Sequence, residues 1–260
     1  MKPIYFISDL HLGAPNQEAS LKREQKFVQW LIQVQAQQPS HLFVVGDLFD
    51  FWFEYKRAVP RGFVRCLGKL AELADQGVEI HMFTGNHDLW IFDYLPNEIG
   101  ATLHKAPISI QLQNQHLHIG HGDGLGPGDN GYKFLKKLFT SPLLQWSYAR
   151  LHPNFGIYLA DKMSKLSRKH TGNHDAHFHG AENEWLYTYS REIEALTPHN
   201  LYIFGHRHLP IHLPLHPKSH YHNLGDWLQY YTYGQLQDGH FSLKTFSGQL
   251  EHDLPAKTFP

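Results

Sequence analysis

Short apolar runs punctuate the first part of the chain, and each ends in a small cluster of acidic, amide or imidazole side chains. Residues 4–8 (Ile-Tyr-Phe-Ile-Ser) predict a buried strand, followed by Asp9, His11 and a Gly13-Ala14-Pro15 turn. From Ser20 to Gln37 the period changes. Phe27, Trp30, Leu31 and Val34 recur at three- and four-residue spacing, which predicts an amphipathic helix. Leu42 to Val45 predicts the next strand, running into Gly46-Asp47-Leu48-Phe49-Asp50. A helix over 60–76, with Gly77 as its C-cap, precedes a strand over 78–84 that runs into Gly85-Asn86-His87-Asp88. Strand, polar loop and helix in repetition argue for an α/β sheet with a site at the carboxyl ends of its strands.

After residue 100 the pattern shifts. Segments 107–113 and 116–120 predict a hairpin feeding Gly120-His121-Gly122-Asp123, and Leu201 to Phe204 a strand feeding Gly205-His206-Arg207-His208. Residues 220–247, rich in Tyr, Thr and Phe with turns such as Asp238-Gly239, predict closing antiparallel strands. Residues 133–200 interrupt this order and read as mostly helical. The chain therefore divides into a core of 1–132 and 201–260 and an inserted cap of 133–200.

Charge sets the cap apart. Lys133, Lys136, Lys137, Arg150, Lys162, Lys165, Arg168 and Lys169 fall within 133–174 against a single acid, Asp161. Lys133, Lys136 and Lys137 share one helical face, while Phe134, Leu135, Leu138 and Phe139 line another. Basic and apolar together suit an anionic ligand or an anionic membrane surface.

Composition narrows the chemistry. At 260 residues and 42% apolar content the chain can form one large domain, or one domain with a cap. The formal net charge of -1 singles out no partner. Cys66, the single cysteine, excludes an internal disulfide and a thiolate metal cluster, and its neighbours Leu67 and Leu70 mark it as buried filler of a helix. The N-terminus does not read as a signal peptide, and no run approaches the roughly 20 apolar residues that span a bilayer. A soluble protein, or one attached only at a membrane surface, is expected. The basic residues lie in one cap rather than a long groove, and no nucleic-acid-binding module stands out, so no nucleic acid is expected.

The 22 histidines are the unusual count, and several pair with aspartate. Asp9, His11, Asp47, Asn86, His121, His206 and His208 offer nitrogen and oxygen donors, which suits Mn²⁺, Fe, Zn²⁺ or Mg²⁺. Their number exceeds the needs of one ion, and Asp47 could bridge two. Two ions about 3.5–4 Å apart form a clamp for phosphoryl chemistry. His206 and His208, two apart on an extended segment, point to one side.

The ordered set D-x-H, G-D-x-x-D, G-N-H-D, G-H-G-D and G-H-x-H resembles the calcineurin-like metallophosphoesterase superfamily. The resemblance implies a four-layer α/β sandwich of βαβ units. It also implies that Asp9, His11, Asp47 and His208 hold one metal, and Asp47, Asn86, His121 and His206 the other. His87 would donate to a phosphate or leaving-group oxygen, with Asp88 orienting it and Asp50 supporting the ligands.

A finer resemblance is to the UDP-2,3-diacylglucosamine diphosphatases of lipid A biosynthesis. It rests on His121-Gly122-Asp123 followed by Leu125, Asp129 and Tyr132, on the basic and apolar cap, and on Asn223-Leu224-Gly225-Asp226-Trp227. This implies two divalent ions, most often Mn²⁺, and an amphiphilic UDP-sugar lipid as substrate. It further implies a cytoplasmic protein peripheral to the anionic inner-membrane surface. Asp123, Asp129 and Tyr132, with Ser167, Arg168 and Lys169 in the cap, are the matching substrate-binding candidates. One departure stands out: the best-known branch reads G-N-R-D where this chain has His87, the superfamily's usual residue. The alternatives are a metallophosphoesterase for another phosphodiester, a nucleotide or a phosphoprotein, and a non-catalytic scaffold, against which the intact ligand set argues.

Overall fold

The computed structural model describes residues 1–128, 130–160, 162 and 177–253, the last four by backbone alone. Two mixed sheets face each other. The first is built around four parallel strands, β1 (Ile4–Ile7), β2 (His41–Val45), β3 (Glu79–Phe83) and β4 (Thr102–His104). It is extended beside β1 by the antiparallel strands β10 (Thr232–Gln237), β11 (His240–Phe246) and β12 (Leu250–Asp253). In the second sheet β6 (Gln115–Gly120), β7 (Leu201–Phe204) and β9 (Ser219–Leu224) run parallel. Antiparallel β5 (Ile108–Leu112) and β8 (Pro210–His216) form its edges.

Alternation along each strand sorts the core into layers. Tyr5, Ile7, Leu42, Val44, Ile80 and Met82 face α1 (Gln17–Ala36) and α2 (Val64–Asp75), meeting Phe27, Trp30, Leu31 and Leu70. The intervening residues Ile4, Phe6, Phe43, Val45 and Phe83 pack between the sheets against Leu117, Ile119, Leu201 and Ile203. Tyr202, Phe204 and Tyr221 face outward from the second sheet onto Leu186, Trp185, Tyr189 and Ile193. The result is a helix–sheet–sheet–helix sandwich, the four-layer α/β class that the motif order implied.

Three boundaries differ from the pattern-based reading. The helix expected over 60–76 starts at Val64, because Gly62 (φ 111°) and Phe63 (φ 61°) are left-handed and cannot continue a helix. Two short elements, α3 (Tyr94–Ile99) and β4, lacked enough periodic residues to be read from sequence. The third difference concerns α7 (Trp185–Leu196), which falls within the expected cap. Its buried Leu186 packs on the second sheet, so this helix is the sandwich's fourth layer rather than a cover over the site. The other helices described within the inserted segment are α4 (Asn130–Phe139), α5 (Pro142–Tyr148), α6 (153–160) and a 3-10 turn at Ala181–Asn183.

Candidate metal centre

Every parallel strand that ends in a motif brings it to the same edge of the sandwich. Asp9 and His11 follow β1, Asp47 follows β2, Asn86 follows β3, His121 follows β6, and His206 and His208 follow β7. Backbone hydrogen bonds join these loops across both sheets. Asp9 N donates to Gly46 O (3.2 Å), His11 N to Asp47 O (2.9 Å), Gly205 N to His121 O (3.0 Å) and Trp227 N to Asp9 O (3.1 Å).

Two side-chain groups result. In one, Asp9, His11 and His208 converge: His208 Nε2 lies 3.3 Å and His11 Nε2 3.7 Å from Asp9 Oδ1, and the two ring nitrogens are 3.2 Å apart. In the other, Asp47, His121 and His206 converge, with His121 Nε2 3.3 Å from Asp47 Oδ2 and 3.3 Å from Asn86 Oδ1. Asp47 Oδ2 is also 3.6 Å from His11 Nε2, so this carboxylate reaches both groups.

The donor set fits a pair of divalent ions. Asp9 Oδ1 is buried and has no hydrogen-bond partner, although two further potential ligand atoms, His11 Nε2 and His208 Nε2, lie beside it. The electrostatics also call for positive charge. Burial opposes charge on His11, yet Asp50, Asp9 and Asp47 raise it to about 10. Burial likewise opposes charge on His121, which Asp47, Asp9 and Asp123 raise to about 10. Asp9, in turn, is held down to about 2 against its burial by His208, His11 and His121. The buried carboxylates Asp9, Asp47, Asp50 and Asp123 thus favour positive charge here, the charge that metal ions would supply if the imidazoles bound as neutral ligands.

Backbone strain accompanies these candidate ligands. Asp9 (φ 56°), His11 (φ 45°), Asp47 (φ 51°), His206 (φ 68°) and His208 (φ 53°) all occupy the left-handed region. Close packing accompanies it too. A Cβ on Gly85 would stand 2.2 Å from Asp47 Oδ1, and one on Gly46 would stand 2.4 Å from His121 Nδ1.

Supporting groups fix the ring nitrogens. His121 Nδ1 is 2.9 Å from Val45 O, and His11 Nδ1 is 3.5 Å from Asp50 Oδ1. His208 Nδ1 is 3.4 Å from Asp226 Oδ2, whose Oδ1 accepts the amides of Gln229 (2.9 Å) and Tyr230 (3.0 Å). Ser8 donates to Asp9 Oδ2 and to Val45 O. Arg23 holds the carbonyls of His11 (2.7 Å) and Ala14 (2.5 Å). The roles of Ser8, Arg23 and Asp226 escaped the sequence reading. For Asp226 the signal was present, since it ends a strand as the other ligand-bearing motifs do.

His87 and Asp88 part company, and Asp88 does not orient the ring as expected. His87 stands beside the cluster, its ring 4.7 Å from that of His11. Asp50 positions it, through a carbonyl 3.0 Å and a carboxylate oxygen 3.7 Å from Nδ1. The Asp88 carboxylate accepts instead from the amides of Gly85 (2.7 Å), Leu48 (2.9 Å) and Phe49 (3.3 Å), tying the β2 and β3 loops together. Burial and the nearby Asp47 push Asp88 up to about 7. Three convergent amides hold it more firmly than one neighbouring ring could.

The substrate-binding candidates divide. Asp123 is buried, and its Oδ2 accepts from Tyr132 (2.6 Å) and pairs with Lys136 Nζ (2.6 Å). Lys133 Nζ donates to Gly126 O at 2.6 Å. Asp123 thus anchors α4 to the loop bearing His121, and Tyr132, Lys133 and Lys136 contact that loop. Asp129, Ser167, Arg168 and Lys169 lie outside the described residues. α5 reaches the core through Tyr148, whose ring lies 4.6 Å from Phe53 and 4.7 Å from Trp90, while Trp90 Nε1 donates to Phe139 O at 2.8 Å. Among the described residues no helix is long and apolar enough to cross a membrane.

Comparison with known proteins places the chain in a family. The family model described as calcineurin-like phosphoesterase matches residues 2–210. A UDP-2,3-diacylglucosamine hydrolase of Porphyromonas gingivalis is 39% identical over 242 residues, covering 88% of this chain and 92% of that protein. Another from Nitrosococcus oceani is 28% identical over 229 residues, covering 86% of each. The solved structure of the Escherichia coli phosphoesterase Yfce aligns over 95% of this chain and 94% of its own at 16% identity and TM-score 0.44, too distant to bear on activity.

Proposed function

The chain belongs to the calcineurin-like phosphoesterase family, and from that premise we propose that it hydrolyses the pyrophosphate bond of UDP-2,3-diacylglucosamine. The observation that carries this reading is the near-complete match to a relative of that activity, cap segment included. Water oxygen would bond to the α-phosphorus as the bond to the bridging oxygen breaks. UMP and the lipid 1-phosphate are the products.

Asp9, His11, Asp47 and His208 would hold one divalent ion, and Asp47, Asn86, His121 and His206 the other. Mn²⁺ is the ion we assign. Once bound, such ions lower the pKa of water and neutralise charge on phosphate oxygens.

The chain's own groups do the rest. Asp88 holds the loops that carry Asp47 and Asn86 in register. Asp50 positions the rings of His11 and His87. With His87 Nδ1 directed at the Asp50 carbonyl, Nε2 is left free, and burial lowers this ring's proton affinity. An arriving phosphate raises it again, so protonated His87 donates from Nε2 to a phosphate or leaving-group oxygen. Asp123 positions α4. Asp129, Tyr132, Ser167, Arg168 and Lys169 are the residues we assign to the sugar and phosphates. The exposed apolar side chains of α4 and α5 would accept acyl chains and rest on the cytoplasmic face of the inner membrane, with the basic residues meeting its anionic surface.

UMP release from UDP-2,3-diacylglucosamine by Mn²⁺-loaded protein, beside a chelated control and bis-p-nitrophenyl phosphate, tests this. Metal-dependent UMP release is expected. Diester hydrolysis without UMP release would discard the substrate while keeping the metal centre, and inactivity on both would discard the enzyme.

A further inference from the structure

A second group of imidazoles gathers at the far, amino-terminal end of β2 and β3. His41 opens β2 and Glu79 opens β3, and the parallel register sets them side by side. His81, two residues beyond Glu79, lies on the same face of the sheet. One carboxylate oxygen of Glu79 and one ring nitrogen each of His41 and His81 lie within 4.8 Å of one another, and His41 Nε2 is 3.6 Å from Glu79 Oε2.

The other ring nitrogens are engaged. His41 Nδ1 is 2.9 Å from Ser40 Oγ, and His81 Nδ1 is 3.0 Å from His104 Nε2. His81 itself is buried, and its Nε2 has no hydrogen-bond partner. Leaving a buried polar atom unpaired costs about 1–3 kcal/mol, and a metal ion would relieve it. A partner on the second nitrogen is what fixes the tautomer and orientation of a metal-binding histidine. Packing fixes the rings as well: Phe43 stacks on His81 at 4.4 Å and 9°, and His41 lies parallel to His81 at 5.7 Å and 12°. Burial lowers both His41 and His81, the latter to about 4, so both rings present lone pairs at neutral pH.

We propose that His41, Glu79 and His81 form a second, mononuclear site for a divalent ion of the zinc type. Two imidazoles and a carboxylate are a zinc donor set, and the 70% exposed Glu79 side chain leaves a coordination position open to water. Six residues of strand separate His41 from Asp47, on the order of 20 Å at the rise of a β-strand, so the site is separate from the catalytic centre. The bound ion ties the starts of β2 and β3 and stabilises the first sheet.

The test is zinc stoichiometry by dialysis and elemental analysis of the full chain carrying Asp9→Asn and Asp47→Asn, which disable the catalytic centre. The same chain is then measured with Glu79→Gln or His41→Ala added, and folding is checked by circular dichroism. About one equivalent of zinc is expected in the first protein and none in the other two, with a zinc-induced rise in Tm that both additions abolish. Long-range ¹H–¹⁵N spectra should show the ring nitrogens of His41 and His81 shifting as zinc is added. In the Mn²⁺-loaded wild-type background, Glu79→Gln should leave diester hydrolysis unchanged. Zinc retained after Glu79→Gln and His41→Ala, zinc absent from the starting protein, or unmoved His81 resonances would each overturn the proposal.

Discussion

Asp9, Asp47 and His121 are 0, 1 and 3% exposed, whereas Phe134, Leu143 and Trp146 of the cap are 67, 70 and 57% exposed. The strand-end cluster is built from polar groups held inside the sandwich, each fixed by amides, carbonyls or a second carboxylate. The helices α4 and α5 have no buried residue and turn large apolar side chains outward. Polar residues inside and apolar residues outside both reverse the usual arrangement. Each reversal is what the proposed function would need: buried charge for cations in the first case, exposed apolar surface for a lipid in the second.

Substitutions that separate the two regions test that division. Replacing Asp47 with Ala removes the carboxylate common to both ligand groups. Turnover of any substrate should fall by roughly three orders of magnitude or more; kcat on the lipid and on a small diester should fall together. Next in size is Gly85→Ala, whose Cβ would collide with Asp47 Oδ1. A displacement near 1 Å should cost about 100-fold in kcat/KM on both substrates, whereas an unchanged rate would show that the loop relaxes freely.

On the cap side, Tyr132→Phe removes a hydroxyl that donates to Asp123. One hydrogen bond to a charged group is worth about 1.5–3 kcal/mol. The lipid's kcat/KM should therefore fall about 10-fold or more while diester hydrolysis stays near wild type, and equal losses would sink the assignment of Tyr132 to recognition. The smallest effect on folding belongs to Phe134→Ser with Leu143→Ser. Tm should shift by no more than about 2 °C, yet flotation with anionic vesicles should weaken; undiminished flotation would argue against the apolar face as the membrane contact.

Burial and neighbouring imidazoles hold His118 down to about 4 in the folded state, below the usual 6.5. The unfolded chain then binds more protons between those values. The contribution of His118 is complete above pH 6.5 and declines as pH falls toward 4, by up to about 1.4 kcal/mol per pH unit. A pH series of urea melts should show the decline, and His118→Phe should flatten it.

Local pattern made much of this molecule legible. Each parallel strand of the first sheet that bears a motif announced itself by an apolar run, and the polar residues after the runs proved to be neighbours in space. Long-range arrangement was less visible. That α7 covers the second sheet depends on Leu186 meeting Tyr202 and Phe204, a contact that helical periodicity alone does not distinguish from capping the site. Asp88 follows His87 in sequence, so orienting that ring was the natural expectation. Its amide partners at Leu48 and Phe49 come from another strand's loop. Lys133 and Lys136 read as groups facing an anionic ligand, because nothing in the sequence shows how closely the 123–126 loop would pass beneath them.

The left-handed backbone at Asp9, His11, Asp47, His206 and His208 has a consequence for descent. Each such position costs on the order of 1 kcal/mol or more for a residue other than glycine. Glycine or asparagine would relieve the strain while removing or weakening a ligand. Random drift toward a more stable fold would therefore erode this centre residue by residue. A lineage released from selection for turnover should show it first at these five positions, well before its hydrophobic layers change.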